Sequence, residues 1–335
     1  MKDEKMSTKE TVVRFLEENS GHPVSGSAIA ESLGISRTAV WKAIKSLEAD
    51  GYMIDASTGK GYTLRQENDV ISEAGIAKYL RKPEAANIIV HQSVTSTNDL
   101  LREAAMREDV PEGTIVVAAE QTKGKGRRGR SFFSPVGTGI YFSILLRPQC
   151  SPGELMHLTC ATAVAMCDAL EAAAGFRPGI KWTNDLVYGK KKLGGILTEL
   201  GLTPQGMVDY AIIGIGINCR QQPDDFPVEI QNIAASLNMV TGKETGPALL
   251  AASMLDALWR IDGRLLTDKA GILDQYRQDC ITLGQEISVV RGDAIRHGEA
   301  ISVDGDGALV VAYSDGTQEA VNSGEVSIRG MYGYL

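Results

Sequence analysis

Apolar positions along the first 66 residues recur with helical spacing and then with strand spacing. Val12, Val13, Phe15 and Leu16 form one helical pattern, which stops near Gly21-His22-Pro23. Ala28, Ile29, Ala30 and Leu33 form a second, closed by Gly34. Behind Ser36, a good N-cap, Val40, Ile44 and Leu47 recur at i, i+4 and i+7. Two short strand patterns follow, Tyr52–Asp55 and Gly61–Leu64, joined by Thr58-Gly59-Lys60 as a hairpin. Residues 67–272 then alternate between strands and helices, which predicts an α/β domain. Its strands are expected at Asn87–His91, Gly113–Ala119, Ile140–Leu146, Asp185–Tyr188, Ile196–Leu200 and Tyr210–Ile217. Its helices are expected at Asn98–Arg107, Pro152–Ala174 and Gly246–Leu266. From about Leu283 the spacing shortens, and Asp304-Gly305, Asp306-Gly307 and Asp315-Gly316 punctuate strands of a small barrel, giving a third domain at 273–335.

Composition adds exclusions. With 335 residues, 43% of them hydrophobic and 23% charged, the chain can bury a large core, and disorder as the main state is excluded. No run of about 18 apolar residues stands out, so no membrane span or membrane partner is expected. The charged start MKDEKMSTKE lacks the apolar stretch of a signal peptide, so a cytoplasmic location is expected. Five cysteines without a C-x-x-C pair read as free, buried thiols. Four scattered histidines offer neither a metal site nor a Ser-His-Asp triad. The formal charge of −8 argues against non-specific coating of nucleic acid.

Residues 1–66, however, hold nine basic and nine acidic side chains. Arg37, Lys42 and Lys45 all precede the first acid of their helix, Glu48. Helix, short turn, helix and hairpin, with a basic second helix, resemble a winged helix-turn-helix. Ser36, Arg37, Thr38, Trp41, Lys42 and Lys45 are its candidate DNA contacts. The alternatives are a solvated helix face and, for Trp41, packing inside the module.

Four further stretches carry chemistry. Lys123-Gly124-Lys125-Gly126-Arg127-Arg128-Gly129-Arg130 puts five cations and three glycines in eight residues. It matches G-x-G-x-x-G, but Ser131-Phe132-Phe133-Ser134-Pro135 follows instead of a helix, which rules out the dinucleotide fingerprint. A mobile basic loop that closes over an anion fits better than a merely solubilising one. Lys181-Trp182-Thr183-Asn184-Asp185 and Lys190-Lys191-Lys192-Leu193-Gly194-Gly195-Ile196 suggest a hairpin with a cation at the mouth of a glycine-bearing strand. Ser93-Val94-Thr95-Ser96-Thr97-Asn98 puts hydroxyls between a strand and a helix, where capping by Thr97 or Asn98 competes with ligand binding. Gly214-Ile215-Gly216-Ile217-Asn218 ends a strand on an amide, with sheet packing as the plain alternative.

Taken together these motifs resemble the biotin protein ligase family, in particular its bifunctional members that repress the biotin operon. The resemblance covers essentially the whole chain. It departs at Lys125, where the family more often has Arg, and at Thr183, where it has Pro. It implies a multidomain α+β protein: a winged helix-turn-helix, a central α/β catalytic domain of class II synthetase type with a mixed sheet, and an SH3-like barrel. It also implies two reactions. Biotin attacks the α-phosphate of ATP, which enters with Mg2+, to give biotinyl-5′-AMP. A lysine of a biotin carboxyl carrier protein then takes the biotinyl group, and no prosthetic group is held. By position, Ser96, Thr97, Asn98 and Gln121, with Lys125, Gly126 and Gly195, surround biotin and its adenylate. Lys192 meets the carboxylate, Arg127 the acyl phosphate, and Asp185 orients cations or the acceptor lysine. Trp182, Asn184 and Asn218 form the nucleotide side. Operator DNA and an adenylate-dependent homodimer complete the expected partners. A non-catalytic biotin sensor and a lipoate-type ligase are the alternatives, and the lipoate ligase would have no use for a polar ureido pocket.

Overall fold

The computed structural model describes residues 7–49, 51–65, 69–83, 86–107, 110–291, 294–322 and 325–328. Contacts divide it into two compact units, residues 1–79 with 246–249, and residues 80–245 with 250–335. The expected limit at 66/67 lies outside the described residues.

In the first unit, α1 (Thr8–Glu18) starts at a capping box, Ser7 with Glu10. α2 (Gly26–Leu33) ends on left-handed Gly34, φ 63°, a conformation that suits glycine. α3 (Arg37–Ala49) follows a short turn, with Ser36 Oγ accepting from the Ala39 amide at 3.1 Å. Val12, Leu16, Ile29, Val40, Ile44 and Leu47 are the core that the helical spacing marks out. β1 (Ile54–Ser57) and β2 (Gly61–Leu64) pair antiparallel as the wing. A short α4 (Glu73–Ala77) follows.

The second unit contains β3 (Asn87–His91), α5 (Thr97–Met106), β4 (Thr114–Ala118), β5 (Gly139–Leu146), α6 (Leu158–Ala174), β6 (Gly179–Lys181), β7 (Asp185–Tyr188), β8 (Lys191–Leu202) and β9 (Val208–Asn218). Then come α7 (Leu237–Thr241), α8 (Pro247–Asp262), whose first residues belong to the other unit, and α9 (Lys269–Asp279). β3 to β9 form one sheet in the order β3-β4-β5-β9-β8-β7-β6, parallel only between β3 and β4. Strand alternation divides its apolar residues between two faces. Leu145 and Ile212 pack under Leu101 and Ala105 of α5. Ile144, Leu146 and Ile213 face the other way, toward Leu158 of α6 and Leu258 of α8. β10 (Glu286–Arg291), β11 (Ala294–Val303), β12 (Leu309–Tyr313), β13 (Gln318–Val321) and β14 (Glu325–Ile328) form an antiparallel sheet in the order β13-β12-β11-β10-β14.

Several expectations are corrected. β8 runs from Lys191 to Leu202, not from Ile196, because pairing with β7 and β9 carries it through both glycines. β6, α4, α7 and α9 were not anticipated, and the expected limit at 272/273 falls inside α9. The stretch at 152–174 opens as a 3-10 turn, with α6 starting at Leu158, and α8 stops at Asp262. By length and apolarity Pro152–Ala174 could cross a membrane, with mean hydropathy 1.2, but it is 72% buried as a core helix. All five cysteines are buried thiols outside any disulfide.

Candidate active site on the α5 face of the sheet

Cross-strand pairing lines up Tyr141, Gly216, Gly195 and Asp185 on four neighbouring strands, with Ser143, Gly214 and Leu197 in the next row. These rows lie on the α5 face. Three glycines flatten it, and each is crowded from above. A Cβ on Gly214 would overlap the Asn98 side chain, one on Gly216 the Phe132 ring, and one on Gly195 would stand 3.1 Å from Lys192 Nζ.

Lys192 reaches this face because of a bulge. The β7–β8 ladder pairs Leu186 with Gly194 and then Val187 with Lys192, which leaves Leu193 as the extra residue. Without that residue Lys192 would point to the opposite face. With it, Lys192 Nζ lies 2.7 Å from Asp185 Oδ1. The Lys192 backbone is clamped on both sides, its N–H donating to Ile233 O at 2.7 Å and its C=O accepting from the Ala235 N–H at 2.9 Å.

The start of α5 forms one wall. Ser96, not Thr97 or Asn98, is the N-cap residue, and its hydroxyl makes no capping bond. Gln121 takes that role: its Oε1 accepts from the Thr97 N–H at 2.9 Å and from Thr97 Oγ1 at 3.1 Å, while its Nε2 donates to Ser134 Oγ at 3.1 Å. Asn98 is buried, donating to Glu199 at 2.7 Å and lying 2.6 Å from the Ser143 hydroxyl.

The glycine-rich segment forms the roof. Its own backbone ties it into a hairpin, with Gly126 N–H donating to Arg130 O at 2.7 Å and Phe132 N–H to Gly124 O at 2.9 Å. Arg128 sits at its tip in the left-handed region, φ 57°. Arg127 Nη1 donates to Asn184 Oδ1 at 2.9 Å, and Lys125 Nζ lies 2.6 Å from Asp99 Oδ1. Burial pushes the Arg127 guanidinium below its ordinary pKa, and Asp185 opposes the shift.

These walls and the roof enclose a cleft on the α5 face. Ser96, Thr97, Asn98, Gln121, Lys125, Gly126, Arg127, Asn184, Lys192 and Gly195 all line it. Asp185 stands behind Lys192. Trp182 and Asn218 are not among the lining residues. Trp182 is buried, with Nε1 donating to Gly307 O at 3.0 Å, and the Asn218 amide donates to Ala235 O at 3.1 Å. The Trp182–Thr183 peptide is cis. Sequence reasoning missed Phe132, Leu197 and Asp99. Phe132 is marked only by its place after the basic loop, and Asp99 only by following Asn98. Among the described residues no group of three or more His, Cys, Asp or Glu could hold a metal ion.

In the first unit, Arg37, Thr38, Trp41, Lys42 and Lys45 share an exposed face of α3, and Ser36 is exposed at its start. Trp41 is 52% exposed, so it does not pack into the module. Lys45 pairs with Glu48 at 2.6 Å.

A sheet-floored cleft with a capped helix start, a bulge-aimed lysine and a basic glycine roof, on a chain that also carries a helix-turn-helix, defines a protein ligase of the biotin and lipoate type with a DNA-binding module. Family models agree: the biotin/lipoate A/B protein ligase family matches residues 90–218, an HTH domain 8–63, and the biotin protein ligase C terminal domain 282–329. The bifunctional ligase/repressor BirA of Bacillus subtilis is 35% identical over 298 residues, covering 88% of this chain and 91% of that protein. The Escherichia coli protein of the same name is 28% identical, with 91% and 92% covered. The biotin protein ligase of Aquifex aeolicus, solved with biotin and ATP, superposes with a TM-score of 0.62 at 30% identity, covering 72% of this chain and 98% of that one. The chain belongs to the family of bifunctional biotin ligase/repressors.

Proposed function

We propose that the protein makes biotinyl-5′-AMP from biotin and MgATP in the α5-face cleft and passes the biotinyl group to one lysine of a biotin carboxyl carrier protein. Loaded with the adenylate, it pairs into a homodimer that presents two α3 helices to an operator in the cytoplasm. The observation that carries the ligase reading is convergence: residues from four separate stretches of chain line one cleft that holds three cations, Lys125, Arg127 and Lys192. The functional parts are 1–66, 67–272 and 273–335, with α9 crossing the last limit.

Ser96, Thr97 and Gln121 offer uncharged hydrogen bonds to the ureido ring. Lys192 binds the biotin carboxylate, and Gly195 leaves it room. A carboxylate oxygen attacks the α-phosphorus and pyrophosphate leaves. Charge then builds on the phosphoryl oxygens between Lys192 and Arg127. Both are already held, by Asp185 and Asn184 respectively, so little reorganisation is needed. Mg2+ arrives on the ATP phosphates, and no prosthetic group takes part. Lys125 and Gly126 close the roof over the product. In the second step the carrier lysine attacks the acyl carbon and AMP departs, with Asp185 orienting the incoming amine. On the nucleotide side Asn184 makes contact, whereas Trp182 and Asn218 act as braces, as does Asn98 under the biotin pocket. Along α3, Ser36, Arg37, Thr38, Trp41, Lys42 and Lys45 meet bases and phosphates.

The test is incubation with ATP, Mg2+ and either biotin or lipoate, with mass detection of the adenylate. Biotinyl adenylate alone is expected. Lipoyl adenylate alone would favour the lipoate-type ligase, and neither product would leave a sensor.

A further inference from the structure

The glycine-rich roof carries an anchor outside its own segment. Lys125 Nζ lies 2.6 Å from Asp99 Oδ1, in the first turn of α5, directly after the residues that line the cleft. Asp99 is also held by Arg102, one turn along. Arg102 Nη1 in turn lies 2.8 Å from Glu199 Oε1 on β8, and the other Glu199 oxygen accepts from Asn98 at 2.7 Å. A line of charges thus runs from the roof through α5 to the sheet floor.

Two features suit a device that opens and closes. A carboxylate in the first helical turn is favoured by the helix dipole, and Arg102 orients it, so Asp99 keeps its place when the roof lifts. The Lys125 side chain is 40% exposed against 20% for Asp99, so their pair can be broken and re-formed. We propose that Asp99 is the latch of the glycine-rich loop: a positioning residue that holds Lys125, keeps the roof closed over the adenylate and slows its escape. This rests on the ligase reading for what is retained. The closure itself can be read without any ligand.

The test compares Asp99→Asn and Asp99→Glu with the unaltered chain, loaded with biotin, ATP and Mg2+. Adenylate release is followed in a chase, together with biotinylation of serum albumin as a bystander, and KM and kcat for adenylate formation. A partly exposed ion pair holds a closed state by about two- to fivefold. Release and bystander labelling should therefore rise about two- to fivefold in Asp99→Asn. Asp99→Glu should stay near the unaltered rate, and kcat at saturating biotin should hardly move. Amide exchange across residues 123–131 should quicken in Asp99→Asn without ligand. If Asp99→Asn does not fold, Asp99→Ser serves in the same assays. Release and loop exchange equal to the unaltered chain would overturn the latch. Faster loop exchange with no adenylate formed by any chain would instead remove the ligase reading and leave the latch standing.

Discussion

Replacing Gly195 with Ala tests the geometry of the proposed adenylation site without removing any charge. Gly195 lies inside β8, opposite Asp185 and Gly216, and its backbone does not demand glycine. The added methyl would stand 3.1 Å from Lys192 Nζ, 3.2 Å from its Cε and 3.6 Å from Asp185 Oδ1. Only the lysine tip must give way, by a few tenths of an ångström. Lys192→Ala sets the ceiling: losing one donor at developing charge costs about 2.7–4 kcal/mol, or roughly a hundred- to a thousandfold in rate. A misplacement of about 1 Å can cost about a hundredfold, so Gly195→Ala should slow adenylate formation by about five- to tenfold. Exchanging Gly for Ala in a compatible strand leaves stability unchanged or raises it by up to about 1 kcal/mol. Pyrophosphate release dependent on biotin and ATP gives the rate, and thermal melting gives the stability. Slower chemistry in an equally stable protein is the expected signature. An unchanged rate for Gly195→Ala, with a loss under about tenfold for Lys192→Ala, would mean that Lys192 only belongs to the solvated run at 190–192.

Arg127→Gly removes the roof's contact with Asn184 and should let the adenylate escape, so mass spectrometry of a mixed protein sample should find many modified lysines where the unaltered chain modifies one. Lys42→Ala should weaken operator binding evenly across sequences and reduce the salt slope by about one, measured by titration at several ionic strengths. His157 is buried with Nε2 2.8 Å from Leu265 O, and burial holds its pKa below the ordinary 6.5. The unfolded chain therefore takes up this proton first as pH falls. Stability should decline from about pH 6.5 downward, and His157→Gln should flatten that slope in melts across pH 5–7.

The fold class was legible where apolar spacing was strong: α1 to α3, the wing, α5 and the central strands. It failed where tertiary pairing overrode local signals. Gly194 and Gly195 read as glycines within a strand, yet the strand pattern was bounded at Ile196, and only pairing with two neighbouring strands carries β8 back to Lys191. In α9 the apolar face is three residues, Ile272, Leu273 and Tyr276, among polar neighbours, too sparse to signal a helix. The site motifs could be read as chemistry, but their mutual placement could not. That Lys192 shares a face with Asp185 depends on one extra residue in a ladder. That Trp182 spends its N–H on Gly307 depends on the sheet at the chain's other end. Asp99 was marked only by following Asn98, since its partner Lys125 lies in the cleft roof.

The most direct measurement is mass analysis of a biotin carboxyl carrier domain after incubation with this protein, biotin, ATP and Mg2+. One biotinyl group on one carrier lysine, dependent on both small molecules and lost with Lys192→Ala, is the predicted result. An unmodified carrier, with biotin nonetheless bound, would contradict ligase activity and leave a repressor that senses its ligand without using it.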